Sequence, residues 1–209
     1  MLKFMDHELI PEALKTGYIK AITPLIQLLT RLDMHPNTLT TLGFLMSCAA
    51  TYFFGVGSFR TAAILVLIAG MFDTIDGTLA RDSGKVSRFG ALYDSTLDRY
   101  SEVILFFGLA SYFIRHDLYS SSVVVAVALG GSLMVSYIRA RAEGLGFECK
   151  VGILQRPERL LLIAIGGLIH LKALVVAIWI IAVLSNITAI FRIVHVWRED
   201  QKANLSSAK

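Results

Sequence analysis

The sequence predicts an all-α integral membrane protein: six transmembrane helices preceded by an N-terminal amphipathic helix lying in the interface. Three observations carry that expectation. Of 209 residues, 55% are hydrophobic and 17% charged, with a mean hydropathy of +0.63, too apolar for a water-soluble domain of this size. Apolar runs recur at Leu39–Gly55, Thr61–Phe72, Val103–Ile114, Ser122–Tyr137, Leu160–Ile169 and Ala173–Val196. None shows the alternation of a barrel strand, and unpaired backbone groups are costly in lipid, so helices are the expected form.

Taken in order, the segment before residue 37 lacks the short basic start of a cleaved signal peptide, so the N-terminus is expected to be retained. Within it Leu14, Tyr18, Ile22, Ile26 and Leu29 recur at helical spacing while Lys15, Lys20, Gln27 and Arg31 fall elsewhere. Such a helix either lies amphipathically in the interface or packs as in a soluble protein, and Pro24 is expected to kink or divide it. Several of the six apolar runs fall short of the ~20 residues that cross a bilayer and reach that length only with their flanking polar turns. The organisation expected is a juxtamembrane segment at 1–35, a six-helix domain at 36–197 and a cytoplasmic tail at 198–209.

Lysine and arginine set the orientation. With a cytoplasmic N-terminus, six spans put the loops near Arg60, Arg115 and Lys172 outside and leave all but those three of the 20 basic residues on the cytoplasmic side, as the positive-inside rule requires. That asymmetry and anionic lipid account for the net charge of +4, and no basic cluster interleaved with aromatics points to nucleic acid. Cys48 falls in the first span and Cys149 in a cytoplasmic loop, so no structural disulfide is expected.

The stretch Asp73 to Asp98 then lies at the cytoplasmic ends of spans two and three. It reads DTIDGTLARDSGKVSRFGALYDSTLD. Asp73, Asp76, Gly77, Ala80 and Arg81 share one helical face, as do Gly90, Asp94 and Asp98. Two helices turning back through residues 82–88 would aim four carboxylates at one volume, an oxygen-only set suited to hard divalent ions such as Mg²⁺ or Mn²⁺. Asp-x-x-Asp-Gly alone could be a helix C-terminus with a glycine stop. It lacks the alternating acids and closing glutamate of a calcium loop.

The joint pattern D-x2-D-G-x2-A-R-x8-G-x3-D-x3-D resembles the signature of the CDP-alcohol phosphotransferase family, membrane enzymes that move a phosphatidyl group from a CDP-linked lipid to an alcohol and release CMP. All eight signature positions are present, and the wider resemblance covers residues 36–197. It implies two divalent ions held by Asp73, Asp76, Asp94 and Asp98, with Asp98 as the base that takes the alcohol's proton. It places Gly77, Ala80, Arg81 and Gly90 at the CDP moiety of CDP-diacylglycerol. His35-Pro36-Asn37-Thr38-Leu39-Thr40 resembles the segment that opens the first span in many members. Asn37 and Thr40 thereby join the nucleotide pocket, although Asn37 or Thr38 also suits a helix cap. No serine or cysteine stands beside a base, which favours direct attack by the acceptor hydroxyl over a covalent enzyme intermediate.

A second polar group ends span four at Arg139 and Arg141, opens span five at Arg156-Pro157-Glu158-Arg159, and includes Arg192 within span six. Arginines at span ends commonly snorkel to headgroups. Arg192 lies in an apolar run and requires an anionic partner. The words YIRARAEG, RPER and NITAIFR resemble the phosphatidylinositol phosphate synthase branch, whose acceptor is inositol phosphate. In that branch a basic pocket holds the acceptor's phosphate, here matched by Arg139, Arg156 or Arg159, and Arg192. Glycerol phosphate, free inositol and serine are the alternative acceptors, and family analogy implies a homodimer. A divalent-cation transporter is the rival class, but it would spread acids through the bilayer depth, whereas the outer loops hold only Asp117.

Overall fold

A computed structural model of the chain describes residues 12–207, less the side chains of 12–16, 18–21, 203, 204, 206 and 207. Every regular element among them is helical: α1 (Glu12–Arg31), α2 (Pro36–Gly55), α3 (Phe59–Asp82), α4 (Arg88–Arg115), α5 (Tyr119–Gly144), α6 (Arg156–Ile169) and α7 (Leu171–Ser207). Helix α2 packs on α3 and α4, α5 on α4 and α7, and α6 on α3 and α7.

By length and apolarity four helices suit a membrane crossing: α2, α3, α5, and α7 over Leu171–Lys202. The other two expected spans lie in α4 and α6 and fall outside that set for different reasons. Helix α4 has 28 residues, about 42 Å at 1.5 Å per residue, but its first half carries the charged residues of the motif. Helix α6 has only 14 residues, about 21 Å, short of a hydrocarbon core of ~30 Å. Helix α7 runs on through 198–207, so the described part of the expected tail continues the last helix.

Helix α1 is uninterrupted across Pro24, so the proline does not divide it; it removes one N–H donor and the helix continues. Ile22 and Ile26 are buried in a small core with Leu39 of α2 and Ile75 and Leu79 of α3, and Leu29 packs against it. Gln27 and Arg31 face outward, and so do Leu25, Leu28 and Leu32. Residues 1–11 and the side chains of Leu14, Lys15, Tyr18 and Lys20 lie outside the described residues, so the remainder of the expected stripe is not placed.

Helix starts and stops position the polar ends. His35 caps α2, its Nδ1 accepting from the Asn37 N–H at 3.2 Å, with Pro36 in the first turn where its missing donor costs nothing. The cap therefore does not use the Asn37 side chain. Helix α3 closes with Gly84 at φ +67°, and the Lys85 N–H reaches the Ala80 carbonyl at 3.0 Å, a glycine stop. Ser87 starts α4 by accepting from the Gly90 N–H at 2.9 Å. The α3–α4 reversal thus joins motif residues Ala80 and Gly90 to Gly84, Lys85 and Ser87 between them.

Candidate active site

From that reversal α3 and α4 both pack on α2, and carboxylates from residues 73–82 of α3 and 88–98 of α4 converge on one space. Asp73, Asp76 and Asp94 each offer an oxygen, and these oxygens lie within 4.8 Å of one another. Asp76 is buried and receives the Thr40 hydroxyl at 2.6 Å. That bond fixes the Asp76 carboxylate from the first turn of α2, a positioning contact the sequence does not announce. Asp94 Oδ1 is buried and has no hydrogen-bond partner.

Asp98, the fourth expected ligand, stands outside this group of three. Its Oδ1 pairs with Arg156 Nη2 at 2.8 Å, while Nη1 of the same guanidinium lies 3.3 Å from Asp73 Oδ1. Arg156, at the start of α6, thus enters the carboxylate site directly.

On the α2 side of the carboxylates lies a cleft of about 330 Å³. Asn37, Thr40, Gly77, Ala80, Arg81 and Gly90, all named above for the CDP moiety, line it together with Asp76 and Asp94. A Cβ on Gly90 would sit 2.9 Å from Ser87 Oγ and 3.3 Å from Asn37 Oδ1, so a side chain there would crowd the cleft wall. Arg81 is exposed; its Nη2 donates to Thr78 Oγ1 at 3.2 Å, and it makes no ion pair with the aspartates. Lys85, Val86 and Ser87 complete the mouth, residues that motif spacing passes over as turn. Lys85 Nζ donates to Asp33 Oδ1 at 2.6 Å, joining the reversal to the α1–α2 connection. By that hydrogen bond and its charge it holds the Asp33 carboxyl below its usual range.

The other arginines are each engaged by partners of their own. Arg139 is half-buried at the end of α5 and pairs with Glu143 at 2.8 Å. Arg192 is buried but has no anionic partner: Nε donates to the Val151 carbonyl at 2.8 Å and Nη1 to that of Val135. Among the described residues no motif aspartate pairs with it, and two backbone carbonyls solvate this guanidinium. Gly152 permits the contact, since at φ +145° its Cβ would meet Thr188 Cγ2 at 2.5 Å. Arg159 is fully enclosed and grips Glu102 through Nε at 2.6 Å and Nη2 at 2.9 Å. Its Nη1 donates to the Leu154 carbonyl at 3.2 Å, so it presents no free donor edge to a ligand phosphate. Arg141 is exposed.

Comparison with known proteins agrees with this geometry. Residues 33–197 match the family model described as CDP-alcohol phosphatidyltransferase. The archaetidylinositol phosphate synthase of Methanothermobacter thermautotrophicus is 38% identical over 172 residues, covering 80% of this chain and 86% of that protein. The phosphatidylinositol phosphate synthase of Mycobacterium tuberculosis is 34% identical over 198 residues, covering 90% and 91%. A crystal structure of that mycobacterial synthase with CDP-DAG bound superposes with a TM-score of 0.77 at 34% identity, covering 85% of this chain and 94% of that one. A second, in complex with manganese and citrate, also gives 0.77 and covers 84% and 88%.

Proposed function

The chain belongs to the CDP-alcohol phosphatidyltransferase family, and from that membership we propose that it transfers the phosphatidyl group of CDP-diacylglycerol to a hydroxyl of inositol phosphate, releasing CMP. The observation that carries this reading is the meeting of Asp73, Asp76 and Asp94 within 4.8 Å at the wall of a cleft lined by the nucleotide positions of the signature. Relatives named as inositol phosphate synthases support the acceptor.

A hard divalent ion fits these residues. Three clustered carboxylates, with Asp94 Oδ1 buried and without a hydrogen-bond partner, form an anionic set that Arg156, paired with Asp73 alone among the three, offsets only in part. Asp73, Asp76 and Asp94, with Asp98 as fourth carboxylate, would hold Mg²⁺ or Mn²⁺, two ions by family likeness. When bound, the ions neutralise charge on the transferred phosphoryl group and on departing CMP.

The remaining roles belong to side chains. Asp98 accepts the proton of the acceptor hydroxyl as it attacks phosphorus. Arg156, touching both Asp98 and Asp73, stands where an acceptor phosphate can be drawn beside the base. Thr40 keeps Asp76 oriented, and Asn37, Gly77, Ala80, Arg81 and Gly90 accommodate the nucleotide. Arg139 and Arg192 complete the acceptor's surroundings together with Arg156, and Arg159 drops out because its nitrogens are spent in the core. A transporter finds no support: among the described residues the buried acids beyond the cluster are Glu102, closed by Arg159, and Glu158, which accepts the Gln155 N–H at the start of α6.

The domain of 36–197 sits in the membrane with six crossings, α6 entering as a short helix and α1 resting at the interface. Both termini and the carboxylates face the cytoplasm, in contact with membrane lipid, and the protein acts as a homodimer. The test is CMP release from CDP-diacylglycerol by purified protein: chelation abolishes it, and Mg²⁺ or Mn²⁺ restores it. Full turnover in excess chelator contradicts the metal-dependent mechanism.

A further inference from the structure

We propose that Glu102 and Arg159 are positioning residues for this reaction: a buried ion pair that fixes the register of α6 against α4 and so holds Arg156 at the Asp98 carboxylate. Glu102 lies four residues beyond Asp98 on α4, and Arg159 three beyond Arg156 on α6. Both spacings are one helical turn. The two helices are therefore joined by two parallel rungs, Asp98–Arg156 above and Glu102–Arg159 below.

Geometry distinguishes the lower rung. Its two contacts, 2.6 and 2.9 Å, engage both carboxylate oxygens, and a planar fork on a planar carboxylate restrains rotation as well as distance. The side chains are 0% and 1% exposed. A buried pair of this kind adds little stability over an apolar pair of the same volume, because desolvation offsets the attraction. What it supplies is a defined position.

That position matters because α6 packs broadly on α3 and α7, whereas ion pairs tie it to α4. Among the described residues Arg156, the first of α6, is held by Asp98 and Asp73, and its buried Nε has no partner. Its placement thus depends on the turn beneath it. The remaining nitrogen of Arg159 holds the Leu154 carbonyl, which fixes the chain entering α6 to the same rung.

The test is steady-state kinetics of the full-length protein in detergent with CDP-diacylglycerol and inositol phosphate, alongside Mn²⁺ binding followed by electron paramagnetic resonance. In the double variant Glu102→Leu/Arg159→Met, kcat falls about 100-fold while Mn²⁺ affinity and Tm stay at wild-type values. Arg159→Lys, which keeps the charge without the fork, recovers part of the loss. Wild-type kinetics in a folded double variant overturn the proposal. So does a parallel loss of Mn²⁺ affinity, which marks collapse of the whole site. If the double variant does not fold, Arg159→Lys decides: reduced kcat with Mn²⁺ binding kept supports the proposal, and unchanged kcat overturns it. The inference rests on the roles given above to Asp98 and Arg156, and the wild type separates the two failures. A wild type that transfers nothing to inositol phosphate sinks the functional reading, while the ratio of variant to wild type, measured on whichever acceptor is used, still decides the pair.

Discussion

Asp76 is the most enclosed of the three clustered carboxylates, and its only described hydrogen bond from another side chain is that of Thr40. Asp76→Asn keeps the shape but loses a charge that a divalent ion requires, so turnover falls about a thousandfold, a few kcal/mol of transition-state stabilisation. Thermal unfolding of the same variant, unchanged or raised, shows that the loss is chemical. Asp98→Asn removes a proton acceptor while leaving the three-carboxylate group intact. Its kcat falls by about 10² to 10⁴ while CDP-diacylglycerol still binds in the presence of metal; near-normal turnover places the base elsewhere. Arg192→Ala raises the KM for inositol phosphate about tenfold or more and leaves that for CDP-diacylglycerol unchanged. An equal rise for both substrates assigns Arg192 to holding Val151 and Val135 alone. The aspartates were legible because spacing on a helix fixes which side chains share a face. The arginines were not: four of them lie near the start of α6 and the end of α5, and spacing cannot tell which one meets Asp98, which one meets Glu102 and which two stay clear of both.

Helices emerge longer than the apolar runs that announced them. The run Val103–Ile114 became part of a 28-residue α4, because the motif residues before it continue the same helix and direct their polar face inward. Helix α6 stayed short: its start is fixed by Gln155, whose N–H donates to Glu158 at 2.6 Å, and by Pro157 in the first turn. That start was legible, since Arg156-Pro157-Glu158-Arg159 was expected to open the fifth span. Close approach between helices was invisible. Gly108 of α4 faces the Thr51 carbonyl of α2 so nearly that a Cβ would collide with backbone. Gly108→Leu therefore forces α2 and α4 apart and costs about 1–3 kcal/mol, read as a lower Tm in detergent. Because α2 also carries Thr40 and Asn37, kcat falls with it. A Tm equal to that of the wild type shows that the α2–α4 contact does not limit the fold.

At the scale of the molecule, α7 measures about 55 Å over its 37 residues, well beyond a hydrocarbon core of ~30 Å. Its polar end from Arg198 onward must leave the membrane. On the orientation proposed above that end is cytoplasmic and Lys172 lies on the opposite side. An impermeant maleimide added to sealed vesicles with the cytoplasmic face inside should label Lys172→Cys at once and Lys202→Cys only after permeabilisation; the reverse pattern inverts the topology. Membrane character, helix order and the carboxylate pair of faces were all readable from hydropathy and spacing. How α4 and α6 sit in the bilayer was not, because their charges and length break the apolar pattern where the chemistry is housed. The account as a whole turns on the acceptor. Purified protein given CDP-diacylglycerol, Mg²⁺ and, in separate reactions, labelled inositol phosphate, glycerol phosphate, free inositol and serine should transfer label into lipid from inositol phosphate with stoichiometric CMP; transfer from free inositol or serine at a comparable rate, or none from inositol phosphate, contradicts it.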